Sequence, residues 1–531
     1  MTSKLYSQRK QIIKVLWFIF CFILAVIVRV YKISDIPYGL NFDEAGMGYD
    51  AWTLQKYHVD RWLNRLPVYL VNYGGGQSAL YAYLCAFFIR FFGGGEWAVI
   101  WLRMPGAVLN LAAYIAGLQI IGKVFEEKWK MLSAFLLAIL PYFIMQCRLG
   151  LDCNLLVSML TISLCLLCFS LEQEKIRWFL LTGIFYGLTY YAYALSYIPN
   201  TLLLLLITIY LINKKKHLLV RLMCMWLAVG IAAFPLVYMI LINQFDLPQS
   251  EIGLITITKI PYYRGSEFVF QLPTILQNIG IVLSSILTKD WIVYNAFDKY
   301  YTMYRVSIPF IILGFCDCTK YVMKNVKEKD NGIDYSLFLW AAFTVYFILG
   351  CFLGGDRANI NRMNGLFFSQ FFLLIWGIRK IYLLIAKKYT KPAKVFMGLL
   401  CAVYLLDFIS FAHYYYAEHA KDFHPLFFAD TYEGVLQHLC ENHLEHEQIY
   451  VSSNYIYYLL SANRSPYEID FSDTEMPNID NFYFEDFGPV DPAAVYIVYK
   501  TDEEYIELLK ENGLELQYAE GIYQCYYKTL P

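Results

Sequence analysis

Apolar runs separated by short lysine-bearing loops dominate the first four-fifths of the chain. They recur at 15–30, 98–121, 129–147, 154–171, 177–193, 197–212, 217–242, 304–323, 335–353, 364–386 and 393–412. Each is a candidate to cross the ~30 Å hydrocarbon core of a bilayer. Ser78–Phe92 and Phe268–Leu287 are also apolar, but crossings there would upset the alternation of loop charge. Loops Gly122–Lys130, Glu172–Arg177, Asn213–His217, Thr319–Asp330 and Lys387–Lys394 carry Lys or Arg, and the intervening loops are poor in lysine. Cytoplasmic loops hold the positive residues. The pattern therefore predicts about eleven crossings, a cytoplasmic N-terminus and an external C-terminus, with Ser78–Phe92 and Phe268–Leu287 lying in the interface. Lys4, Arg9, Lys10 and Lys14 ahead of Val15–Val30 read as an uncleaved signal anchor.

Beyond residue 412 the periodicity changes. Thr431–Asn442 and Thr501–Asn512 read as helices, Gln448–Ser452 and Ala494–Tyr499 as strands. The expected architecture is a polytopic α-helical membrane module, 1–412, with outer loops 31–97 and 243–303, followed by a small extracytoplasmic α/β domain, 413–531.

Composition agrees with a multi-pass protein that has some soluble mass: 531 residues, 58% hydrophobic and 16% charged, with a mean hydropathy of +0.43. The net charge of -1 conceals lysine in the short loops and acid in the tail, and no basic domain or nucleic-acid motif is present. Most of the 13 cysteines sit in apolar runs. Cys440 and Cys525, both in the tail, can pair in an oxidising compartment. His438, Cys440, His443 and His446 fit no standard zinc spacing and are expected on a solvated helix face.

Candidate chemistry gathers at the outer ends of the spans. Asn41-Phe-Asp-Glu-Ala-Gly-Met-Gly-Tyr-Asp-Ala-Trp52 follows the first run, with Ala45, Tyr49 and Trp52 at helical spacing. It predicts a short amphipathic surface helix with Asp43 and Glu44 in its first turn. Such acids are helix caps in one reading and a functional carboxylate pair at a membrane rim in the other. Asp50, Asp60, Arg61 and Tyr73-Gly-Gly-Gly-Gln77 follow in the same loop. Arg103, an intramembrane cation, requires an anionic ligand or one of the acids. Arg148 and Asp152 stand four apart and either pair with each other or face a ligand. Tyr193 belongs to a tyrosine run that doubles as an interface belt. Arg357 and Arg362, in Gly354-Gly-Asp-Arg-Ala-Asn-Ile-Asn-Arg-Met-Asn364, suit a phosphate at headgroup depth. Acids and arginines around one outer cavity suggest group transfer from a phosphate-bearing lipid.

This arrangement resembles the GT-C membrane glycosyltransferases, and is most similar to the bacterial branch of the protein O-mannosyltransferase and lipid A aminoarabinose transferase superfamily. The resemblance rests on Asp43-Glu44 after the first span, Ser78–Phe92 as a second juxtamembrane helix, Leu102-Arg-Met-Pro105 opening the next span, and Arg148…Asp152. It covers roughly the first half of the chain. It implies inverting transfer from a polyprenyl-phosphate sugar to an extracytoplasmic glycan, lipid or protein. Asp43 would be the base and Glu44 its support, Arg103 would pair with the acids or the phosphate, and Arg357 and Arg362 would hold the lipid phosphate. Gly75-Gly-Gln77 stands where the aminoarabinose enzymes carry an acid-lysine pair, so recognition should differ. Monophosphate donors in this superfamily generally need no divalent cation, and none is assigned. A transporter for a lipid-linked sugar, with charges deep in its spans, and a non-catalytic scaffold are the competing readings.

Overall fold

The computed structural model describes residues 2–528 except 73–74, 262–268, 289–296, 298, 328–331, 354–358, 419–427, 470–478 and 486. Helix α1 (Thr2–Val30) is followed by strand β1 (Leu40–Asn41), helix α2 (Phe42–Tyr57), hairpin β2 (Tyr69–Asn72) and β3 (Gly75–Ser78), and apolar helix α3 (Leu80–Phe91). Next come α4 (Val99–Val124), α5 (Glu127–Ile139), α6 (Pro141–Met145), α7 (Asp152–Gln173), α8 (Ile176–Leu188), α9 (Tyr197–Lys214) and α10 (Leu219–Gln244). A second hairpin, β4 (Ser250–Ile252) with β5 (Ile255–Ile257), precedes α11 (Leu272–Leu287), α12 (Ile308–Lys327), α13 (Ser336–Cys351), α14 (Phe367–Lys388) and α15 (Thr390–His413).

Among the described residues, eight of these helices are long and apolar enough to span a membrane: α1, α4, α7, α9, α10, α12, α14 and α15. The segments Glu127–Ile139 and Pro141–Arg148, bent by 59°, make a ninth if they are one span. The break follows from Pro141, which has no N–H for the carbonyl of Leu137. Arg29 supplies the missing donor, giving its Nη2 to Leu137 O at 3.0 Å and its Nη1 to Ala138 O at 3.3 Å. The crossings expected at 177–193 and 335–353 correspond to α8 and α13, which have 13 and 16 helical residues. At 1.5 Å per residue both fall short of the ~20 residues of a straight crossing. They pack along longer neighbours, α8 against α7 and α10, α13 against α9 and α14.

The tail carries β6 (Phe428–Ala429), α16 (Glu433–Glu441), β7 (Ile449–Val451), α17 (Tyr455–Ser461), β8 (Phe482–Phe484), β9 (Val495–Tyr499), α18 (Glu503–Glu511), β10 (Glu515–Glu520) and β11 (Tyr523–Tyr527). Five strands form one sheet in the order β10-β11-β9-β7-β8. Strand β7 runs parallel to β8 and β9, and β11 runs antiparallel to β9 and β10. The expected pairing of Cys440 with Cys525 is not made. Cys525 lies buried in β11, Cys440 is exposed on α16, and both are free. His438 stacks on Tyr518 at 4.5 Å, so this part of the helix rests on the sheet.

The outer segments are tied together by hydrogen bonds. Val68 N donates to Thr256 O and Thr256 N to Arg65 O, which attaches the second hairpin to the first outer loop. Strand β1 pairs antiparallel with β6, Leu40 opposite Ala429 and Asn41 opposite Phe428, so the tail touches the chain just ahead of α2. The expected amphipathic surface helix is instead a core helix, since every residue of α2 from Glu44 to Leu54 is buried. Its polar groups are matched internally. Asp50 accepts from Arg61 Nη2 at 2.8 Å and from Arg61 Nε and N at 3.0 Å.

Asp60, beside this pair, accepts from the backbone N–H groups of Trp62 and Asn64 and from the Asn64 amide. Burial, reinforced by the Asp50 carboxylate, nevertheless pushes its pKa up from 3.8 to about 7. An acid raised in the folded state adds stability that is complete below its unfolded pKa and is lost as pH rises through the folded value. We therefore expect wild-type stability to fall by about 1.4 kcal/mol per pH unit between those two values. Asp60→Asn keeps an acceptor for the backbone groups and removes the titration. Thermal unfolding in detergent from roughly pH 5 to pH 8 should show a midpoint that falls more steeply for the wild type than for the variant.

Candidate active site

The two adjacent acids occupy opposite environments. Asn41 is the N-cap of α2. Its side chain accepts from Asp43 N, and the Glu44 carboxylate reaches back toward Asn41 N at 3.4 Å, completing a capping box. Glu44 is fully buried. Its Oε1 accepts from Arg103 Nε at 2.8 Å and from Gly150 N at 2.7 Å, and its Oε2 accepts from Arg103 Nη2 at 3.0 Å. A carboxylate offers about four lone-pair sites, and here four donors fill them. A Cβ on Gly150 would stand 3.1 Å from Glu44 Oε1, so a larger residue would press on the pair.

Asp43 is half-buried. Its Oδ1 accepts from Asn72 Nδ2 at 2.8 Å, and Gln77 Nε2 approaches its main-chain oxygen at 3.4 Å. The hairpin β2–β3 thus presents two amides to the first turn of α2. Both are buried, and Asn72 Oδ1 and Gln77 Oε1 have no partner among the described residues. Asp152, the first residue of α7, accepts from Ser78 N at 2.9 Å on the same hairpin. Asn364 donates to Cys153 O at 2.8 Å and brings the 3₁₀ turn Ile360–Leu366, which holds Arg362, against the start of α7. Leu149, Leu151, Cys153 and Phe428 form an apolar wall nearby, with Tyr193 packed against it.

The geometry decides between the alternatives for two arginines. Arg148 does not pair with Asp152. Its guanidinium is buried against the carbonyls of Val28, Arg29, Tyr31, Lys32 and Ile36, closing the end of α1, and lies over the Tyr415 and Tyr416 rings. The second is Arg103, whose partner is Glu44; its remaining N–H groups donate to the carbonyls of Ile33, Ser34, Pro37 and Gly39. The Arg103 donors are taken by Glu44 and these carbonyls, and the Arg148 Nη groups by the open end of α1, while Arg148 Nε has no partner among the described residues. Tyr73 and Arg357 lie outside the described residues. Arg362 is half-buried, with its backbone N–H near Asn359 Oδ1 at 3.2 Å.

Sequence reasoning missed Asn72, Ser78, Gly150 and Phe428. Only Asn72 carried a signal, as the amide that mirrors Gln77 across the glycine turn. At the tail side of the site, burial raises the pKa of Asp430 above the usual carboxylate range, against the pull of Thr431 N–H, the Tyr38 hydroxyl and Arg103. Burial and Asp430 push the Tyr38 hydroxyl up to about 12. Among the described residues no group of three or more His, Cys, Asp and Glu is placed to hold a metal ion.

Residues 77–242 match the family model for dolichyl-phosphate-mannose-protein mannosyltransferase. No curated protein sequence matches the chain. Among solved structures, ArnT from Cupriavidus metallidurans bound to undecaprenyl phosphate is 11% identical, with a TM-score of 0.56 over 96% of this chain and 97% of ArnT. Archaeal oligosaccharyltransferase AglB from Archaeoglobus fulgidus, in complex with an inhibitory peptide and a dolichol-phosphate, is 12% identical, with a TM-score of 0.50. That likeness takes in 86% of this chain and 64% of AglB, so the chain spans under two thirds of the archaeal protein. The chain shares the fold of ArnT and AglB.

Breaking a buried ion pair by removing one partner costs ~3–5 kcal/mol. Glu44→Gln and Arg103→Leu should each lower thermal stability in detergent by that order. Asp43→Asn, which exchanges one half-buried carboxylate oxygen for an amide, should shift it by less than ~1 kcal/mol. Equal losses in all three variants would contradict the division between the two acids.

Proposed function

We propose that this chain is a glycosyltransferase that moves a sugar from a polyprenyl-phosphate-linked donor to an extracytoplasmic acceptor, a cell-surface glycan, lipid or protein, with inversion. The observation that carries the reading is the contrast between the acids. Glu44 is neutralised by Arg103, whereas Asp43 is half-buried and oriented by an amide. Neighbouring carboxyls placed in different environments take different roles. Asp43 acts as the general base, taking the proton from the acceptor nucleophile as it attacks the anomeric carbon. The bond from that carbon to the phosphate oxygen breaks, and polyprenyl phosphate leaves with the bonding pair. One displacement inverts the configuration. Glu44 is a positioning residue, fixing the turn on which Asp43 stands.

The solved proteins of the same fold hold undecaprenyl phosphate and a dolichol-phosphate, which supports a donor of this class. With Arg103 and Arg148 committed to the protein, Arg357 and Arg362 are the arginines proposed for the lipid phosphate. Gln77, Asn72, Asp152, Tyr193 and Tyr73 are proposed to shape the pocket around the reacting sugar and the acceptor. The amide oxygens of Asn72 and Gln77 serve as acceptors for hydroxyl groups. The family placement is the bacterial branch related to the O-mannosyl and aminoarabinose transferases, acting as a hexosyl- or pentosyltransferase. The topology is eleven crossings in the plasma membrane, with α8 and α13 as short spans, a cytoplasmic N-terminus and the tail outside.

Asn41 caps α2, and Asp43→Asn keeps a side-chain oxygen to accept from Asn72 Nδ2, so the variant separates catalysis from folding. Mass spectrometry of lipid that co-purifies with the protein identifies the donor. With that donor, Asp43→Asn should lower release of polyprenyl phosphate by ~10²–10⁴-fold. Release at the wild-type rate would overturn the assignment of Asp43 as base.

A further inference from the structure

The C-terminal turns of α2, the loop between α3 and α4, and the tail enclose a cleft of 620 Å³, lined by Trp52, Lys56, Glu96, Trp97, Glu433 and Asn463 among others. Ligand clefts commonly measure ~300–1,000 Å³. Asp43 and the Trp52–Lys56 stretch lie on the same helix, nine to thirteen residues apart, or ~14–20 Å at 1.5 Å per residue. The cleft is therefore separate from the acidic first turn.

Its walls are built, not incidental. Gly94 and Gly95 adopt φ of +65° and +97°, which turn the loop back over α2. Gly95 N donates to Ile89 O, and Gln55 Nε2 donates to Gly95 O at 2.9 Å, fixing the loop to α2 and α3. Trp97 Nε1 donates to Asn463 Oδ1 at 3.1 Å and joins the loop to the tail. Lys56 Nζ sits 4.6 Å from the centre of the Trp52 ring. The aromatic row continues outward from Trp52 to Tyr57 at 5.8 Å and from Tyr57 to Tyr467 at 6.1 Å, where Tyr467 is 61% exposed.

The lining chooses among ligand classes. Two carboxylates against one lysine disfavour a phosphate or another anion. A rim carrying four polar or charged side chains disfavours an acyl chain. A hydroxyl-rich neutral ligand suits it. Carboxylates accept from hydroxyl groups, lysine and amide donate to them, and aromatic rings cover the apolar faces of sugar rings. We propose that this cleft binds the saccharide chain of the acceptor, several units away from the hydroxyl that reacts. The proposal rests on the transferase reading above and narrows its acceptor to a glycan.

The test uses the full chain in nanodiscs, with chitotetraose, cellotetraose and mannotetraose as probes and binding read by saturation-transfer NMR and calorimetry. At least one probe should bind saturably. Trp97→Ala and Glu433→Gln should weaken it by ~tenfold or more, while Trp97→Phe, which keeps an aromatic face but loses the bond to Asn463, should restore most of the affinity. Asp43→Asn should bind as the wild type does. Binding by none of the probes, or undiminished binding in Trp97→Ala, overturns the proposal. Normal sugar transfer by Asp43→Asn with cleft binding intact would remove the catalytic reading and leave the saccharide site standing.

Discussion

The ion pair between Glu44 and Arg103 is the interaction on which the region around α2 depends. It joins the first turn of α2 to α4, and through Arg103 it also collects the carbonyls of Ile33, Ser34, Pro37 and Gly39. Through Glu44 it holds Gly150, the hinge between the bent α5–α6 unit and α7. Four chain segments with no hydrogen-bonded regular structure in common thus meet on one carboxylate and one guanidinium. Desolvating both ions is costly, and the cost is offset only because every lone pair and N–H in the pair finds a partner. The same completeness takes both residues out of contention as substrate ligands.

That arrangement has a consequence for the tail. Strand β6 pairs with β1 directly ahead of Asn41, and Tyr457 donates to Leu40 O at 2.7 Å. Tyr49, in the middle of α2, donates to Arg464 O at 2.7 Å, and Arg61 reaches the Tyr455 hydroxyl. The acidic helix is therefore gripped by the membrane-side helices at one side and by α17 at the other. A close approach at Gly39, where a Cβ would come within 2.7 Å of Ala429 O at a φ of +68°, requires glycine for that docking. Phe428 then falls beside Leu149, Leu151 and Cys153, so the tail contributes a wall to the candidate site.

Much of this was legible in the residues. The spans are long enough for hydropathy alone to find them, and Asn41-x-x-Glu44 is the spacing of a capping box. Tail helices α16 and α18 and strands β7 and β9 were also readable, but α17, β8, β10 and β11 were not. Strand β10 is exposed or half-buried with no clean alternation, and it pairs with β11, which in turn pairs with β9. The burial of α2 was hidden for a different reason. Asp50 looks like a solvent-facing residue until Arg61, eleven positions on, neutralises it. Nor could local sequence say which of two adjacent acids would be spent on structure. The answer lies in Arg103, far along the chain, and in the glycine at 150 that lets the pair close.

The division of labour between the acids has a counterpart among the buried arginines. Arg29, Arg103 and Arg148 are all fully buried, and each is consumed by carbonyl oxygens left open at a helix end, a proline break or an irregular loop. Irregular backbone near a bilayer must find internal donors, and arginine, with five N–H groups, is the residue best able to supply them. Cations that look functional by position are therefore the ones the scaffold uses first. Arg362 stands on the 3₁₀ turn that Asn364 anchors to Cys153, one residue past the Asp152 that accepts from the hairpin bearing Gln77. The turn that carries it is thus tied to Asp43 through three hydrogen bonds, Asn72 to Asp43, Ser78 to Asp152 and Asn364 to Cys153, and the start of one helix.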